Sequence, residues 1–214
     1  IGELANLFNN HFGIDCDLEV IKMKGWKRQM YFGDTGLPWI PPSPNLPTPG
    51  ATEVYPGQVI WEGTNISEGR GTTQPFEIFG APFLDPKQMA ASLDKGGLRG
   101  VHLRPTAFEP TSNKWQGSLC YGFQLHVLDR NVYRPYLTSL ALLKAAYGLY
   151  PENVRWKDPP YEFEYETLPL DLITGDRSVR ETIEQQGSLN ALRKDWEEDL
   201  AEFTETRQTV LLYT

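Results

Sequence analysis

The sequence predicts an α+β fold, α/β-like in character, in which helices flank a mixed β-sheet. Two kinds of hydrophobic periodicity along the 214 residues support this class. Apolar residues recur three and four positions apart in some segments, as in helices, and at every second position in others, as in strands. The chain opens with a predicted helix and then a predicted strand, which together form the repeating half-unit of α/β layer folds.

Helices are predicted where the helical spacing persists. In residues 2–12, which Gly13 ends, it groups five side chains on one face: Leu4, Leu7, Phe8, His11 and Phe12. Capping residues mark the start of most of the others. These are residues 86–93 with Asp85 as N-cap and Pro86 at the first position, residues 136–147, a short helix opened by a Ser178–Glu181 capping box, and a longer helix capped by Ser188.

Strands are predicted at residues 17–23, 58–61, 100–104, 119–128, 161–165 and 210–213. The alternation is clearest in residues 119–128, because the apolar residues there occupy every second position. One face carries Leu119, Tyr121, Phe123, Leu125 and Val127, and the other carries Cys120, Gly122, Gln124 and His126. We therefore expect this strand to have one buried face.

Composition and charge exclude several classes of protein. The formal net charge of −8 argues against a nucleic-acid binder, whose affinity rests on phosphate neutralisation by clustered Lys and Arg. No apolar run approaches the roughly 20 residues of a membrane helix, so we expect a soluble protein without a membrane span. Cys16 and Cys120 permit at most one internal disulfide. Neither they nor the three histidines show zinc-ligand spacing, and no metal or other cofactor is predicted.

Two features concern the division of the chain. It starts at Ile1, without an initiator Met, directly in an amphipathic pattern, and we therefore expect it to begin partway through a larger protein. Residues 41–50 contain five prolines, a composition that favours a stiff polyproline-like segment at a domain boundary. A proline-rich surface loop within one domain fits the same composition.

Residues 62–73 hold the richest chemistry in the sequence. They combine Glu62, Glu68 and Arg70 with three glycines and five short polar side chains. Carboxylates beside an arginine can supply acid–base groups and an anion clamp. The two carboxylates can act as a pair only if the loop folds back, which the glycines permit. A glycine-rich hairpin whose carboxylates cap nearby amides is the structural alternative. A phosphate-binding loop is disfavoured, because the Gly-Lys-Ser/Thr ending is missing.

Polar side chains on two predicted strands form a second candidate. Gln124 and His126 share one strand face, and His102 and Arg104 share another. If these strands are neighbours, the four side chains can hydrogen-bond hydroxyls and hold an anion; otherwise they are solvent-facing residues of a half-buried sheet. Aromatic faces beside loop residues can stack on sugar rings, although most tryptophans fill core. Four tryptophans have such neighbours: Trp26, Trp39, Trp61 and Trp115.

The sequence resembles the peptidoglycan β-N-acetylmuramidase NamZ family over essentially its whole length. The longest motifs are Gly36 to Thr48, which reads Gly-Leu-Pro-Trp-Ile-Pro-Pro-Ser-Pro-Asn-Leu-Pro-Thr, then Tyr55-Pro56-Gly57, and Glu62 to Thr73 continuing into Pro75-Phe76-Glu77. Shorter motifs follow in the same order. They are Arg104-Pro105, Gln124-Leu125-His126 with Asp129-Arg130, Tyr161-Glu162-Phe163, and Asp171-Leu172.

The resemblance implies an exo-acting glycoside hydrolase that releases N-acetylmuramic acid from the non-reducing end of peptidoglycan fragments. It also implies a Rossmann-like N-terminal domain and a smaller C-terminal domain, with the active site in the cleft between them. Residues 1–54 would be the last helix–strand unit of the first domain with its Pro-rich linker, and residues 55–214 the C-terminal α+β domain. We therefore expect the N-terminal domain of the same protein as a partner, muramic acid-containing sugars as ligands, and a periplasmic or extracellular location.

Within that cleft the resemblance implies that this chain forms one wall. Glu62 and Glu68 are the candidate catalytic carboxylates, and acidic residues of the N-terminal domain are expected to take the larger part of the chemistry. Arg70 is the first choice for binding the lactyl carboxylate of muramic acid. The weaker choices for that cation are Arg104, Lys114 and Arg130. The residues suited to sugar hydroxyl and acetamido groups are Thr64, Asn65, Thr72, Thr73, Gln124 and His126. A non-catalytic carbohydrate-binding domain is the alternative function.

Overall fold

The computed structural model describes residues 1–93 and 98–213, and confirms the α+β class. The chain divides into two compact units, residues 1–38 with 190–214, and residues 39–189. The described helices are α1 (Gly2–His11), α2 (Pro49–Gln58), α3 (Pro86–Ser92), α4 (Pro135–Leu149), α5 (Pro169–Thr174), α6 (Arg177–Glu184) and α7 (Leu189–Gln208), with 3-10 helices at Phe32–Thr35 and Val59–Gly63. The strands are β1 (Ile78–Ala81), β2 (Val101–Phe108) and β3 (Cys120–Val127). No described helix combines the length and apolar character needed to cross a bilayer.

The smaller unit brings together two distant parts of the chain. Helix α1 buries Leu7, and α7 buries Leu192. The Glu3 carboxylate accepts hydrogen bonds from the backbone N–H of Leu212 (2.8 Å) and from the Arg28 guanidinium (2.5 Å). The Glu3 carboxylate therefore binds the segment that follows α7, and Met23, Arg28 and Trp26 also contact Tyr213 of that segment.

Two strand predictions in this unit were wrong. Residues 17–23 and 210–213 are irregular, so α1 is not followed by the predicted strand. The apolar residues there do not alternate about a buried face, since Ile21 is 81% exposed. The helix prediction for residues 2–12 is confirmed. Its predicted apolar face is only partly covered, because Leu4, Phe8 and Phe12 remain exposed around the buried Leu7.

The sheet of the larger unit is antiparallel throughout its three described strands, in the order β1-β3-β2, so the prediction of a mixed sheet was wrong. Strands β2 and β3 form a hairpin joined by residues 109–119, and β1 pairs with the free edge of β3. The central strand is covered on both faces, which explains why a clean division of β3 into buried and polar faces fails. Cys120 is fully buried on the predicted polar face, whereas Tyr121 on the apolar face is 41% exposed.

Helices pack on this sheet and on one another. Helix α4 lies against α2 and α6, and its buried Leu140 and Leu143 confirm the predicted helix over 136–147. The prediction that Asp85 caps α3 is confirmed, because its carboxylate accepts from the backbone N–H groups of Lys87 and Gln88. The predicted Ser178 cap was wrong. Asp176 caps α6 instead, since a carboxylate oxygen accepts from the N–H of Ser178 at 2.8 Å.

The segment before the site is helical where a strand was predicted. Thr48 caps α2 and Pro49 occupies its first turn, so the proline-rich segment ends by starting a helix. Residues 58–61 close α2 and enter the 3-10 helix Val59–Gly63, and the predicted strand there was wrong. Residues 161–165 are also not a strand, because Tyr161 and Glu164 exchange backbone hydrogen bonds across a tight turn. The predicted domain boundary after residue 54 falls within α2 and stays a prediction.

Candidate functional site

The 3-10 helix Val59–Gly63 sets the direction of Glu62. Its neighbour Trp61 is fully buried and stacks on Phe79, with ring centroids 4.5 Å apart. A Cβ on the other neighbour, Gly63, would lie 2.7 Å from the Cα of Leu170, so α5 packs directly on this glycine. Both flanks of Glu62 are thus fixed in the fold, while its own side chain remains 16% exposed.

Glu68 reaches the same place from the far end of the loop. Ser67 and Gly80 exchange two backbone hydrogen bonds of 2.9 Å, which attach the loop to β1. Gly69 then takes a left-handed conformation (φ 79°) that a residue with a Cβ adopts at a cost, and the chain turns back. The Glu68 side chain is 3% exposed.

Arg70 joins the two carboxylates. Its Nη2 lies 2.6 Å from Oε1 of Glu62, and its Nε lies 3.1 Å from Oε1 of Glu68. The guanidinium also lies over the ring of Phe76, 5.4 Å from its centroid. Burial disfavours the charge of Arg70, but the hydrogen bond and the charge of Glu62, together with Glu68, outweigh it and raise the pKa of Arg70. The loop therefore folds back, as a working carboxylate pair requires.

Lys114 closes the cluster from the β2–β3 connection. The hydroxyl and N–H of Thr111 both donate to the Gly71 carbonyl at 2.8 Å, which docks this connection on the site loop. The Lys114 ammonium then donates to Oε2 of Glu68 (2.7 Å) and to the carbonyls of Trp61 (2.7 Å) and Ile66 (3.1 Å). Burial lowers the pKa of Lys114, although the charge of Glu68 acts in the opposite direction.

Tyr161 completes the hydrogen bonding of Glu62. Its hydroxyl donates to Oε2 of Glu62 at 2.8 Å. Burial, and then this hydrogen bond, raise the pKa of Tyr161. A cavity of about 310 Å³ opens over the cluster. Its described lining consists of Glu62, Glu68, Arg70, Asn113, Lys114, Lys157, Pro160, Tyr161 and Glu162.

Left-handed backbone conformations concentrate around this cavity. Six described residues other than glycine have a positive φ. Four of them adjoin the site: Phe76 (φ 64°) beneath Arg70, Asn113 (70°) and Glu162 (52°) in the lining, and Trp115 (58°) next to Lys114. Such conformations persist only where the surroundings impose them, and they cluster at active sites and ligand clamps. This concentration supports a functional site.

A second cavity, of about 450 Å³, adjoins the first. The two share Asn113, Lys114 and Lys157 as lining residues. The second is lined also by Thr64, Asn65, Trp115 and Trp156. In residues 1–93 and 98–213, no group of three or more His, Cys, Asp or Glu side chains is arranged to hold a metal ion.

Comparison with protein families identifies the chain. The family description "Exo-beta-N-acetylmuramidase NamZ, C-terminal" matches residues 53–213, and "Exo-beta-N-acetylmuramidase NamZ, N-terminal" matches residues 1–50. The chain belongs to the NamZ family. The predicted resemblance is confirmed over nearly the whole sequence.

Individual similar proteins agree with this assignment. The peptidoglycan β-N-acetylmuramidase NamZ of Bacillus subtilis (strain 168) is 46% identical over 213 residues, which cover 100% of this chain and 50% of that protein. The chain thus spans about half the length of this curated relative. Two crystal structures of DUF1343 family proteins from Bacteroides fragilis are also similar. One has a TM-score of 0.84 at 30% identity and the other 0.66 at 26%, and the match covers all of this chain and 56% and 55% of theirs.

Several polar residues predicted to bind sugar form hydrogen bonds to other groups of the protein. The Thr64 hydroxyl donates to the Trp61 carbonyl and accepts from the Ile66 N–H. The Asn65 amide donates to the carbonyl of Asn153 and accepts from the N–H of Arg155, both at 2.9 Å. A buried or paired polar group of this kind stabilises the loop.

The two remaining threonines differ. The Thr72 hydroxyl closes a turn, since it donates to the carbonyl of Gly69 at 2.6 Å and accepts from the N–H of Gln74. Thr73 is exposed. Neither is among the described residues that line the two cavities.

The strand patch predicted from Arg104, Gln124, His102 and His126 does form. Arg104 faces Gln124 and His102 faces His126 across the β2–β3 ladder, and Nε of Arg104 donates to Oε1 of Gln124 at 3.1 Å. None of these residues is among the described lining of either cavity. The patch is therefore separate from the carboxylate cluster. The other weak cation candidate, Arg130, pairs with Glu53.

Several residues that line the two cavities were missed as such by the sequence interpretation, among them Tyr161, Lys157 and Trp156. Tyr161 belongs to the Tyr161-Glu162-Phe163 motif of the NamZ resemblance, which was a signal that could have identified it. No signal in the sequence pointed to Lys157 or Trp156. Their segment is placed at the site by a backbone hydrogen bond from the Lys157 N–H to the Gly63 carbonyl (2.9 Å). Such a pairing between segments about a hundred residues apart leaves no local pattern.

Proposed function

We propose that this chain forms one wall of the active site of an exo-β-N-acetylmuramidase, which releases N-acetylmuramic acid from the non-reducing end of peptidoglycan fragments. The observation that carries the proposal is the 46% identity, over the whole chain, to the peptidoglycan β-N-acetylmuramidase of Bacillus subtilis. Since the chain spans half of that relative, the other wall and the larger part of the acid–base chemistry fall to the N-terminal domain of the same protein.

The geometry supports different roles for the two glutamates. Glu62 is partly exposed in the cavity, so a sugar bound there can contact its carboxylate directly. Glu68 is almost fully buried, and its two oxygens are held by Arg70 and Lys114. We therefore assign substrate contact to Glu62, and assign to Glu68 the positioning of the two cations. Tyr161 and Arg70 fix the orientation of Glu62, which favours catalysis because a held carboxylate needs no reorganisation.

Two cations are candidates for the lactyl carboxylate of muramic acid. Arg70 was the choice from sequence and stays a proposal, but two of its nitrogens already serve glutamates. Lys157 lines the same cavity, is exposed, and lies with Nζ 5.5 Å from the centroid of the Tyr161 ring. Within the described residues it forms no salt bridge. On this ground we favour Lys157, with Thr73, Arg104, Gln124 and His126 left for more distant parts of the glycan.

The proposed substrate indicates where in the cell the protein acts. Peptidoglycan lies outside the cytoplasmic membrane, so we propose that the protein acts in the periplasm or outside the cell. Its partners in this proposal are muramic acid-containing fragments and its own N-terminal domain.

A chromogenic β-N-acetylmuramide tests the proposed activity. The full-length protein should release the chromophore and N-acetylmuramic acid, and Glu62→Gln should slow turnover by about 100-fold, as expected for the loss of an acid–base or charge-stabilising group. Glu152→Gln, at an exposed position outside the described lining of both cavities, is the matched control. Saturable sugar binding without turnover would instead support a carbohydrate-binding domain.

A further inference from the structure

The second cavity differs chemically from the carboxylate cavity beside it. Its lining includes two tryptophans, Trp115 and Trp156, both half-buried. Its volume of about 450 Å³ falls within the range of roughly 300–1,000 Å³ that is usual for small-molecule sites. Flat aromatic walls with a few polar groups suit a ligand with an apolar face and a polar edge, as a pyranose ring has.

Trp156 is held rigidly in this wall. Its ring stacks on Tyr147 with centroids 5.2 Å apart and planes 2° from parallel. Its indole N–H donates to Oε1 of Glu184 at 2.7 Å. Glu184 is in turn bound by Arg180 at 3.1 Å, and Arg180 also bonds the Asp171 carboxylate through two nitrogens at 2.8 and 3.0 Å. Three ionised side chains thus fix the position of one indole.

Trp115 is held by a different set of contacts. Its backbone is left-handed, and its indole N–H donates to the Asn65 carbonyl at 2.6 Å. Its ring meets Phe83 edge-on, with centroids 6.1 Å apart. Because the N–H groups of both indoles are bonded inside the protein, the rings offer hydrocarbon surface to the cavity. A pre-positioned aromatic surface binds without the cost of ordering it.

The polar residues lie where the cavities meet. Asn113, Lys114 and Lys157 line both, so a ligand that extends from one cavity to the other passes these side chains. Lys114 is already bonded to Glu68 and two carbonyls, and Lys157 is the proposed partner of the lactyl carboxylate, which leaves Asn113 as the group best placed for hydroxyl or acetamido contacts. Because the two cavities share lining residues, a ligand of two linked rings could bind in both at once.

We propose that Trp115 and Trp156 form the subsite for the sugar on the leaving-group side of the cleaved bond, N-acetylglucosamine in peptidoglycan. The proposal rests on the proposed function for the identity of the sugar. The carboxylate cavity then holds muramic acid, and the pyranose ring of the next sugar packs against the indoles. The scissile bond lies at the junction of the cavities, beside Asn113 and Lys157.

Substrates that differ only on the leaving-group side test this subsite in the full-length protein. Trp115→Leu and Trp156→Leu should each raise the KM for the disaccharide of N-acetylmuramic acid and N-acetylglucosamine by about tenfold or more. The KM for methyl β-N-acetylmuramide, which lacks the second sugar, should change by less than about twofold. Phe203→Leu, at an exposed aromatic residue of α7, is the control. Equal effects on both substrates would overturn the proposal.

A binding measurement on the unmutated protein tests the subsite even if the tryptophan variants do not fold. N-acetylglucosamine, which the enzyme does not hydrolyse, should quench tryptophan fluorescence, and N-acetylmuramic acid alone should not; equal quenching by the two would count against the subsite. A muramoyl peptide that quenches in place of N-acetylglucosamine would assign these indoles to the stem peptide and overturn the sugar assignment. If the protein hydrolyses neither substrate, the proposed function fails, and the quenching still decides whether a second sugar meets the indoles.

Discussion

Glu62 and Glu68 bind the same guanidinium, through Nη2 and Nε of Arg70 at 2.6 and 3.1 Å. The two carboxylates differ in burial, with 16% and 3% of their side chains exposed. Since Glu68 also bonds Lys114, its neutralisation leaves two cations without their shared partner. The pair is therefore asymmetric, with one glutamate directed toward the cavity and the other toward the protein.

This asymmetry predicts different effects on stability for the two amides. Glu68→Gln should lower the free energy of unfolding by about 3 kcal/mol or more, because it breaks a buried ion pair from one side. Glu62→Gln should cost about 1 kcal/mol, because its carboxylate is partly hydrated. Urea unfolding of both variants checks this difference. Equal losses would show that the two carboxylates are equivalent in the fold.

The choice of cation for the lactyl group gives a second prediction. Lys157→Ala should weaken competitive inhibition by N-acetylmuramic acid by about tenfold, as expected for a charge-assisted hydrogen bond, and leave inhibition by N-acetylglucosamine nearly unchanged. Arg70→Ala should weaken both about equally, because it releases Glu62 and Glu68 from their shared partner. A selective loss in Arg70→Ala would return the clamp to Arg70.

Tyr161 predicts an alkaline effect on stability. Burial and the hydrogen bond to Glu62 raise its pKa in the folded state. The unfolded state then loses this proton first, above about pH 10, so the stabilisation is complete below that pH and declines as pH rises. The difference in unfolding free energy between the unmutated protein and Tyr161→Phe should shrink above about pH 10. Urea unfolding from neutral to alkaline pH measures it, with exposed Tyr165→Phe as control, and a widening difference would contradict the assignment.

Gly63 predicts that packing behind the site controls activity. A Cβ there would lie 2.7 Å from the Cα and 2.9 Å from the Cβ of Leu170, so Gly63→Ala must displace α5 or the residue beside Glu62. We expect a loss of about 1–3 kcal/mol in stability, as for other overpacked sites, together with reduced turnover. Gly33→Ala is the matched control, because a Cβ there meets nothing within 4 Å. Similar melting temperatures for both variants would argue against the close packing.

The sequence predicted the elements whose signals are local. Helices over residues 2–12, 86–93 and 136–147 carry their own periodicity, and the strands around 100–104 and 119–128 carry their own alternation. Residues 58–61 read as a strand because they are apolar, yet the Thr48 cap and Pro49 extend a helix through the preceding residues. Residues 17–23 failed for a different reason, since an apolar segment becomes a strand only when another edge is present to pair with it.

For the site, the sequence identified the loop over residues 62–73 but not the hydrogen-bond partners of each side chain in it. Glu62, Glu68 and Arg70 do meet, as the glycines between them permitted. Thr64 and Asn65 line the second cavity and also bond backbone groups of the fold, and their role in sugar binding stays a prediction. Whether a short polar side chain faces a ligand or a neighbouring amide depends on long-range pairing, which a single sequence does not contain.

The smaller unit has a consequence for the order in which the chain becomes ordered during synthesis. Residues 1–38 form one unit with residues 190–213, and the Glu3 carboxylate can accept its hydrogen bond from the Leu212 N–H only after that residue has been synthesised. The uninterrupted segment 39–189, which carries the whole carboxylate cluster, has all its own partners much earlier on the ribosome. We expect the glutamate-bearing unit to fold before residues 190–213 reach their contacts with residues 1–38, since contacts between distant residues form last.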